Sequence, residues 1–197
     1  MRANDRLRLL IVGVGGQGVL TAARILGEAA LAEGVPVIVG QLHGMSQRGG
    51  SVESMVLFGP WRSSLFGGGA VDVLLALEPL EALRALPRVA KHTHIVVNIG
   101  TVTPFLLTQT GQPYPGVDGI LAKLRHGAGE LVAVDGPAIA ESAGSARALN
   151  AAMLGALAAL GALPVTREAI ERAIERANPN QSAGRRAFAL GAQVVLR

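Results

Sequence analysis

The sequence predicts an α/β protein in which helices flank a mainly parallel sheet. The first observation is the alternation of short apolar runs with segments of helical periodicity along all 197 residues. The second is that runs such as Leu7–Val12 and Asp72–Leu77 are almost continuously apolar, as in parallel strands buried on both faces. Because no linker or internal repeat interrupts this pattern, we expect one domain over residues 1–197.

The first 50 residues have the order of a Rossmann-like βαβ unit. The strand Leu7–Val12 leads into a glycine turn at residues 13–18, and apolar spacing predicts a helix from about Gln17 to Glu33, ended by Gly34, with a second strand at Val35–Val39. The apolar residues expected on the buried face of this helix are Val19, Leu20, Ala23, Leu26, Ala30 and Leu31. In such a unit the free N–H groups of the helix N-terminus point to where an anion or a partner's backbone can lie. The first part of the candidate binding site is therefore Gly13, Gly15, Gly16, Gln17 and Gly18.

A polar, glycine-rich segment follows at residues 40–51. It contains almost no side chain to bury, and it places Arg48 beside two glycines. Glycine lets a backbone approach another molecule closely, and arginine suits a carboxylate or a phosphate. A solvated connection without a ligand is the alternative. The second part of the candidate site consists of His43, Ser46, Gln47, Arg48, Gly49 and Gly50.

The rest of the chain continues the alternation of strands and helices. Further strands are predicted at Val52–Phe58, Asp72–Leu77, His94–Ile99 and Glu130–Asp135, and further helices at Leu80–Leu86, Gly119–Arg125, Ala148–Leu160, Thr166–Arg176 and Arg185–Leu196. Glu78 follows a strand and either carries function at the sheet edge or favours the next helix N-terminus. Asp118 is a candidate helix cap. The helix Ala148–Leu160 is apolar nearly all round, which predicts a core or interface helix.

The composition argues against several classes of protein. With no cysteine, the chain forms no disulfide and offers no thiolate for zinc or for an iron–sulfur cluster, and its four histidines lack metal-ligand spacing, so we expect no metal site. The net charge of +4 is spread along the chain and accompanied by few aromatic residues, which argues against nucleic-acid binding. No apolar run reaches the ~20 residues of a membrane span and no signal peptide is evident, so we expect a cytoplasmic protein.

The dinucleotide hypothesis has a specific test. NAD-binding units carry an acidic residue at the end of the second strand, where it binds the ribose hydroxyls. Residues 39–42 are Val, Gly, Gln and Leu, so the acid is missing. This argues against NAD, while a stand-alone nucleotide- or flavin-binding protein and a dimerisation domain with residues 148–160 as its buried seam stay open as alternatives.

Two motifs together resemble a known family. They are Gly-Val-Gly-Gly-Gln-Gly-Val-Leu at residues 13–20 and His-Gly-Met-Ser-Gln-Arg-Gly-Gly-Ser-Val at residues 43–52. The combination is similar to the gamma subunit or domain of the 2-oxoacid:ferredoxin oxidoreductases, and within it most similar to the small (beta) subunit of the indolepyruvate enzymes. Supporting stretches at residues 75–82, 96–98, 135–136, 147–157 and 187–191 extend the resemblance over essentially the whole chain.

The resemblance implies a function for the complex rather than for the chain alone. Members of this family oxidatively decarboxylate a 2-oxoacid, use coenzyme A as acyl acceptor and pass electrons to ferredoxin. Thiamine diphosphate, magnesium and the iron–sulfur clusters are then expected on a larger partner subunit, with no cofactor and no catalytic residue on this chain. The turn and the loop would face that subunit or a coenzyme A phosphate, with Arg48 as the anion contact. The isolated chain is a possible homodimer.

Overall fold

A six-stranded sheet forms the centre of the molecule. The computed structural model describes residues 6–43, 50–63, 71–102, 113–177 and 182–196. The strands are β1 (Leu7–Val14), β2 (Val37–His43), β3 (Ser51–Phe58), β4 (Val73–Ala76), β5 (His94–Asn98) and β6 (Glu130–Val134), in the spatial order β2-β3-β1-β4-β5-β6. The pairs β1–β4, β4–β5 and β5–β6 are parallel, whereas β3 runs antiparallel to both of its neighbours, β1 and β2. The predicted α/β class with a mainly parallel sheet is confirmed.

Helices cover both faces of this sheet. They are α1 (Val19–Ala32), α2 (Pro79–Arg84), α3 (Val117–Gly127), α4 (Gly136–Ser142), α5 (Leu149–Ala159), α6 (Arg167–Ala177) and α7 (Ser182–Val195), with 3-10 turns at Leu86–Arg88 and Ala146–Ala148. Because successive side chains of a strand point to opposite faces, Leu9 and Ile11 enter the larger core under α1 and α4–α7. Leu10 and Val12 enter the smaller core under α2 and α3. The continuous apolar strands of the sequence reflect this burial on both faces.

The connection between β1 and β2 differs from the simple βαβ unit that the sequence predicts. β2 extends to His43 rather than ending at Val39, so part of the polar segment at residues 40–51 is strand. The chain then turns back, and β3 inserts between β2 and β1. β3 therefore occupies the position next to β1, and β2 is the edge strand of the sheet.

Helix α1 ends as predicted but exposes two residues of its expected apolar face. Gly34 has φ +68°, its N–H donates to the Leu31 carbonyl, and the Val35 N–H donates to the Ala30 carbonyl, which is the glycine-ended Schellman motif. Leu31 and Leu20, predicted to be buried, are 70% and 37% exposed. Both predictions are wrong because these side chains lie on the side of α1 that faces the free edge of β2.

The predicted cap of α3 is also wrong. The helix begins at Val117 and its N-cap is Gly116, which has no side chain to accept a bond. Asp118 lies inside the first turn instead, where its charge is favourable near the positive end of the helix dipole. The carboxylate therefore acts on the helix terminus through its charge.

Helix α5 is buried within the chain, which removes residues 148–160 as a seam between molecules. All residues from Ala151 to Leu157 are buried. The helix crosses α7 so closely that a Cβ at Gly155 would lie 2.0 Å from the Phe188 carbonyl oxygen, and one at Gly191 1.9 Å from the Ala152 carbonyl oxygen. The two glycines thus allow backbone-to-backbone contact at the crossing.

None of the described helices has the length and apolar composition that a membrane span requires.

We predict that Gly191→Ala lowers the free energy of unfolding by about 1–3 kcal/mol, because the added methyl group meets backbone that cannot move aside. Chemical denaturation measures the change. Gly184→Ala on the same helix is the matched control, since its nearest atom, in the Ile174 side chain, would lie at an ordinary 3.5 Å. Equal stability of the two variants would contradict the close crossing.

Candidate functional site at the carboxyl edge of the sheet

The glycine turn is closed by the side chain of Gln17. Its Oε1 accepts a hydrogen bond from the Val14 N–H at 2.7 Å, and its Nε2 donates to the Leu77 carbonyl oxygen at 3.0 Å. Gln17 thereby joins the end of β1 to the residue that follows β4. Since both polar atoms already have partners within the chain, this predicted binding residue shapes the turn.

The N-terminus of α1 depends on a second amide. Gly18 is the N-cap, with φ +82° and no side-chain cap. Its carbonyl accepts from Asn150 Nδ2 at 3.0 Å, and a Cβ at Gly18 would lie 2.1 Å from that nitrogen. Asn150 Oδ1 is buried without a hydrogen-bond partner among the described residues. Sequence reasoning did not assign Asn150 to the site, although one asparagine opening an otherwise apolar helix was an available signal.

The two halves of the predicted site meet at one hydrogen bond. The Gly15 N–H donates to the Gly50 carbonyl at 2.8 Å, which brings the end of the polar loop against the glycine turn. Gly13 lies within β1, and Gly16 is exposed. His43 ends β2 with its backbone opposite Val52. Four predicted residues lie outside the described part of the chain: Ser46, Gln47, Arg48 and Gly49.

Asn98 organises the neighbouring part of the same edge. It is 1% exposed, and its Nδ2 donates to the carbonyls of Leu77 at 2.9 Å and Gly100 at 3.2 Å. Its Oδ1 accepts from the N–H groups of Gly100 and Gly136, both at 3.1 Å. One side chain therefore joins the ends of β4 and β5 to the start of α4.

Glu78 serves the helix that follows β4. It is fully buried, and its Oε2 accepts the Glu81 N–H at 3.0 Å, so it is the N-cap of α2. Its Oε1 accepts the Tyr114 hydroxyl at 2.5 Å and the Val102 N–H at 3.4 Å. Burial is the main cause that raises the pKa of the Tyr114 hydroxyl, and the hydrogen bond to Glu78 raises it further. The tyrosine therefore stays protonated and donates to Glu78.

Glu81 is a second buried carboxyl, which sequence reasoning did not single out. It is 2% exposed, its Oε2 accepts the Ser51 hydroxyl at 2.6 Å, and its Oε1 accepts from Arg84 at 2.5 Å. Burial raises the pKa of the Glu81 carboxyl above its ordinary value of 4.5, although the bonds to Ser51 and Arg84 act in the opposite direction. Glu81 thus anchors the first residue of β3, directly after the polar loop.

His92 and His94 lie away from this edge. His92 approaches Asp72 at 3.7 Å, and His94, at the start of β5, contacts Glu130 at 2.9 Å. Across the described ranges, no group of three or more histidine, aspartate or glutamate side chains could hold a metal ion.

The strand order bears directly on the dinucleotide hypothesis. In dinucleotide-binding units the acid that binds the ribose ends the strand beside β1. Here that position belongs to β3, which runs in the opposite direction, and β2 ends at His43 rather than at an acidic residue. The geometry therefore disfavours the stand-alone nicotinamide interpretation.

Comparison with known proteins identifies the family. The family model of pyruvate ferredoxin/flavodoxin oxidoreductase matches residues 8–194. The chain belongs to this family. The resemblance predicted from the two glycine motifs is confirmed.

Relatives of this chain are small subunits of enzymes. It is 40% identical over 169 residues to the indolepyruvate oxidoreductase subunit IorB of Archaeoglobus fulgidus, covering 86% of this chain and 84% of the relative. It is 38% identical over 162 residues to the subunit of the same name from Methanothermobacter thermautotrophicus, covering 82% and 83%. The chain is therefore an IorB-like accessory subunit of a 2-oxoacid:ferredoxin oxidoreductase, and this interpretation is favoured over the stand-alone binding protein.

A solved structure supports the fold. The gamma subunit of a keto/oxoacid ferredoxin oxidoreductase from Geobacter sulfurreducens superposes with a TM-score of 0.69 at 24% identity, covering 96% of this chain and 98% of that one. At this identity the likeness establishes the shared fold.

We predict that Glu81→Gln changes how stability depends on pH. Because the folded-state pKa of this acid is raised, its contribution to stability is fully present below its ordinary value of 4.5 and is lost as pH rises through the folded value. Glutamine does not ionise and can still bond both Ser51 and Arg84. The melting temperature of the variant, relative to wild type, should therefore rise as pH increases from 4.5 towards neutral.

Thermal unfolding over this pH range, followed by circular dichroism, provides the measurement. The exposed Glu168 on α6 gives the control Glu168→Gln, which should follow the wild-type profile. A constant difference between Glu81→Gln and wild type at all pH values would show that ionisation of Glu81 is not linked to folding.

Proposed function

We propose that this chain assembles with a larger subunit into an enzyme that oxidatively decarboxylates an aryl 2-oxoacid such as indolepyruvate to its acyl-CoA and passes electrons to ferredoxin. The observation that supports the substrate class is the 38–40% identity, over most of both chains, to subunits named for indolepyruvate. We place this assembly in the cytoplasm.

The redox cofactors belong, in this proposal, to the partner subunit. Iron–sulfur clusters are held by cysteine thiolates, and this chain has none. Thiamine diphosphate binds through a divalent metal, and the described residues do not converge as a metal site. We therefore infer that thiamine diphosphate, magnesium and the clusters lie on the larger subunit, where they supply the decarboxylation and electron-transfer chemistry.

The contribution of this chain, in this proposal, is a shaped edge with free backbone N–H groups. The N-terminus of α1 carries no side-chain cap, so its first N–H groups are available to an anion. The Gly15–Gly50 bond fixes the end of the polar loop beside that terminus. We propose that the turn (Gly13, Gly15, Gly16, Gln17 and Gly18) and the loop (His43, Ser46, Gln47, Arg48, Gly49 and Gly50) face the partner subunit or a coenzyme A phosphate, with Arg48 as the anion contact.

Native mass spectrometry with metal analysis tests the assembly. The protein is captured from its own cells under anaerobic conditions. A stoichiometric larger companion that carries iron and thiamine diphosphate is the expected result. Recovery of this chain alone, with a bound nucleotide or nothing, would overturn the proposal.

Arg48→Ala tests the anion contact in the assembled enzyme. Loss of one charge-assisted hydrogen bond should raise the Michaelis constant for coenzyme A, or weaken subunit assembly, by about tenfold or more. Steady-state kinetics with indolepyruvate and ferredoxin measures the first, and subunit titration the second.

Arg125→Ala is the matched control. Arg125 is exposed near the end of α3, which leads into the start of β6 and therefore lies at the opposite edge of the sheet. This variant should leave both quantities unchanged. If Arg48→Ala also changes neither, Arg48 is not an anion contact.

A further inference from the structure

The free edge of the sheet carries exposed apolar side chains that the site at the carboxyl edge does not use. Leu20 and Leu31 on α1 and Val39 on β2 are 37%, 70% and 39% exposed, and they are three of the five large apolar side chains found exposed among the described residues. They line a groove of about 540 Å³ together with Arg24 and Glu28. We call these five residues the β2 edge surface.

The backbone of β2 adds unpaired hydrogen-bonding groups to this surface. The Pro36 carbonyl accepts the Gly59 N–H at 2.7 Å, which makes this pair the first hydrogen-bonded pair of the β2–β3 ladder. Because such pairs alternate along an antiparallel ladder, the N–H and C=O groups of Val37, Val39 and Gln41 point away from β3. Within the described chain β3 is the only strand beside β2, so these groups are available to another strand.

The charges on this surface are complementary to themselves. Arg24 and Glu28 lie one helical turn apart and pair at 3.0 Å within α1. They are equally spaced about residue 26, so an antiparallel copy of the helix centred there places Arg24 opposite Glu28 of the second copy, and the reverse. A surface that matches itself in this way is the requirement of a two-fold contact.

We propose that the β2 edge surface binds a second copy of this chain about a two-fold axis. Antiparallel pairing of the two β2 strands, centred near Gly40, joins the two six-stranded sheets into one and pairs the outward groups of Val39 with those of Gln41. The axis leaves both α1 helices on the same face of the joined sheet. Since α1 covers β2 and β3, the two helices lie side by side across the new strand pair.

This contact stands apart from the substrate proposal in its side chains, because none of the five residues of the β2 edge surface belongs to the turn or the loop. Only the His43 backbone, which lies opposite Val37 of the second copy, is common to both. It also replaces α5, which is buried within its own chain, as the place where two copies meet. The charged pair lies nearest the axis, and Leu20 and Leu31 add apolar surface on either side of it along α1, with Leu31 the more exposed of the two.

Sedimentation equilibrium of the isolated full-length chain over a wide concentration range tests the proposal. Wild type should form a dimer. Leu31→Glu, which places a charge in the contact, and Val39→Pro, which removes an outward N–H while leaving the β3 ladder intact, should each raise the dissociation constant by about tenfold or more. Leu196→Glu is the matched control, since Leu196 is 71% exposed and lies outside this surface, and it should remain a dimer.

A charge exchange tests the register. Arg24→Glu should weaken the dimer because the new carboxylate then faces Glu28 of the second copy, and the two-fold axis repeats this repulsive pair. The double variant Arg24→Glu with Glu28→Arg should restore the dimer. Circular dichroism of every variant checks that the fold is intact.

Two results would overturn the proposal. One is a wild-type chain that is monomeric at all concentrations; if Leu31→Glu then also weakens binding to the larger subunit, the surface belongs to that subunit. The other is a wild-type dimer that neither Leu31→Glu nor Val39→Pro affects, which would place the contact elsewhere.

Discussion

The carbonyl oxygen of Leu77 is the point on which the carboxyl edge of the sheet depends. It accepts from Gln17 at 3.0 Å and from Asn98 at 2.9 Å, so one acceptor joins β1, β4 and β5 at the residue that follows β4. The side-chain oxygens of the same two residues also accept hydrogen bonds, Gln17 from the Val14 N–H and Asn98 from the Gly136 N–H. A parallel sheet leaves its strand ends without ladder partners, and here two side chains supply them. The position of the α1 and α4 N-termini follows from this network.

Buried carboxyls extend the same principle to the connections outside the sheet. At the start of α2, Glu78 accepts hydrogen bonds from the Val102 N–H and the Tyr114 hydroxyl, and Glu81 accepts one from the Ser51 hydroxyl. Burying an acid is costly unless its oxygens are bonded, and each of these oxygens has a partner. Burial still raises the pKa of Glu81, which shows that desolvation outweighs the bonds to Ser51 and Arg84. The residues on either side of the polar segments are therefore held by buried carboxyls, and the pKa of the one that holds Ser51 is raised.

The periodicity of the sequence predicted most elements because burial on both faces leaves a strong local signal. The strands at residues 73–76 and 94–98 and the apolar helix at 149–159 are found close to their predicted positions. What periodicity could not supply is the spatial order of strands. The insertion of β3 between β2 and β1 depends on long-range pairing, and it explains why Leu20 and Leu31 face an open edge instead of a core.

The residues of the candidate site also differ in whether the sequence could reveal them. The glycine turn at residues 13–18 could be found from sequence because such a turn needs glycine where φ is positive, as at Gly16 and Gly18. Asn150 could not be placed there, since its contact with Gly18 joins residues 132 positions apart. Glu81 was hidden for a similar reason: a glutamate in the first turn of a helix is ordinary in sequence, and only the fold shows that it is buried against Ser51.

An accessory subunit needs surfaces that remain available after folding, and the distribution of polar groups shows which these are. Along the described carboxyl edge, the side chains of Gln17, Glu78, Glu81 and Asn98 are already bonded within the chain. Asn150 Oδ1 is the exception among buried side-chain polar atoms of the described residues. The proposed external contacts are the polar loop beside the uncapped N-terminus of α1, at one end of β2, and the outward backbone of β2 along its length. The inserted hairpin bears on both, since β3 displaces β2 to the edge and brings Gly50 against the glycine turn beside that N-terminus.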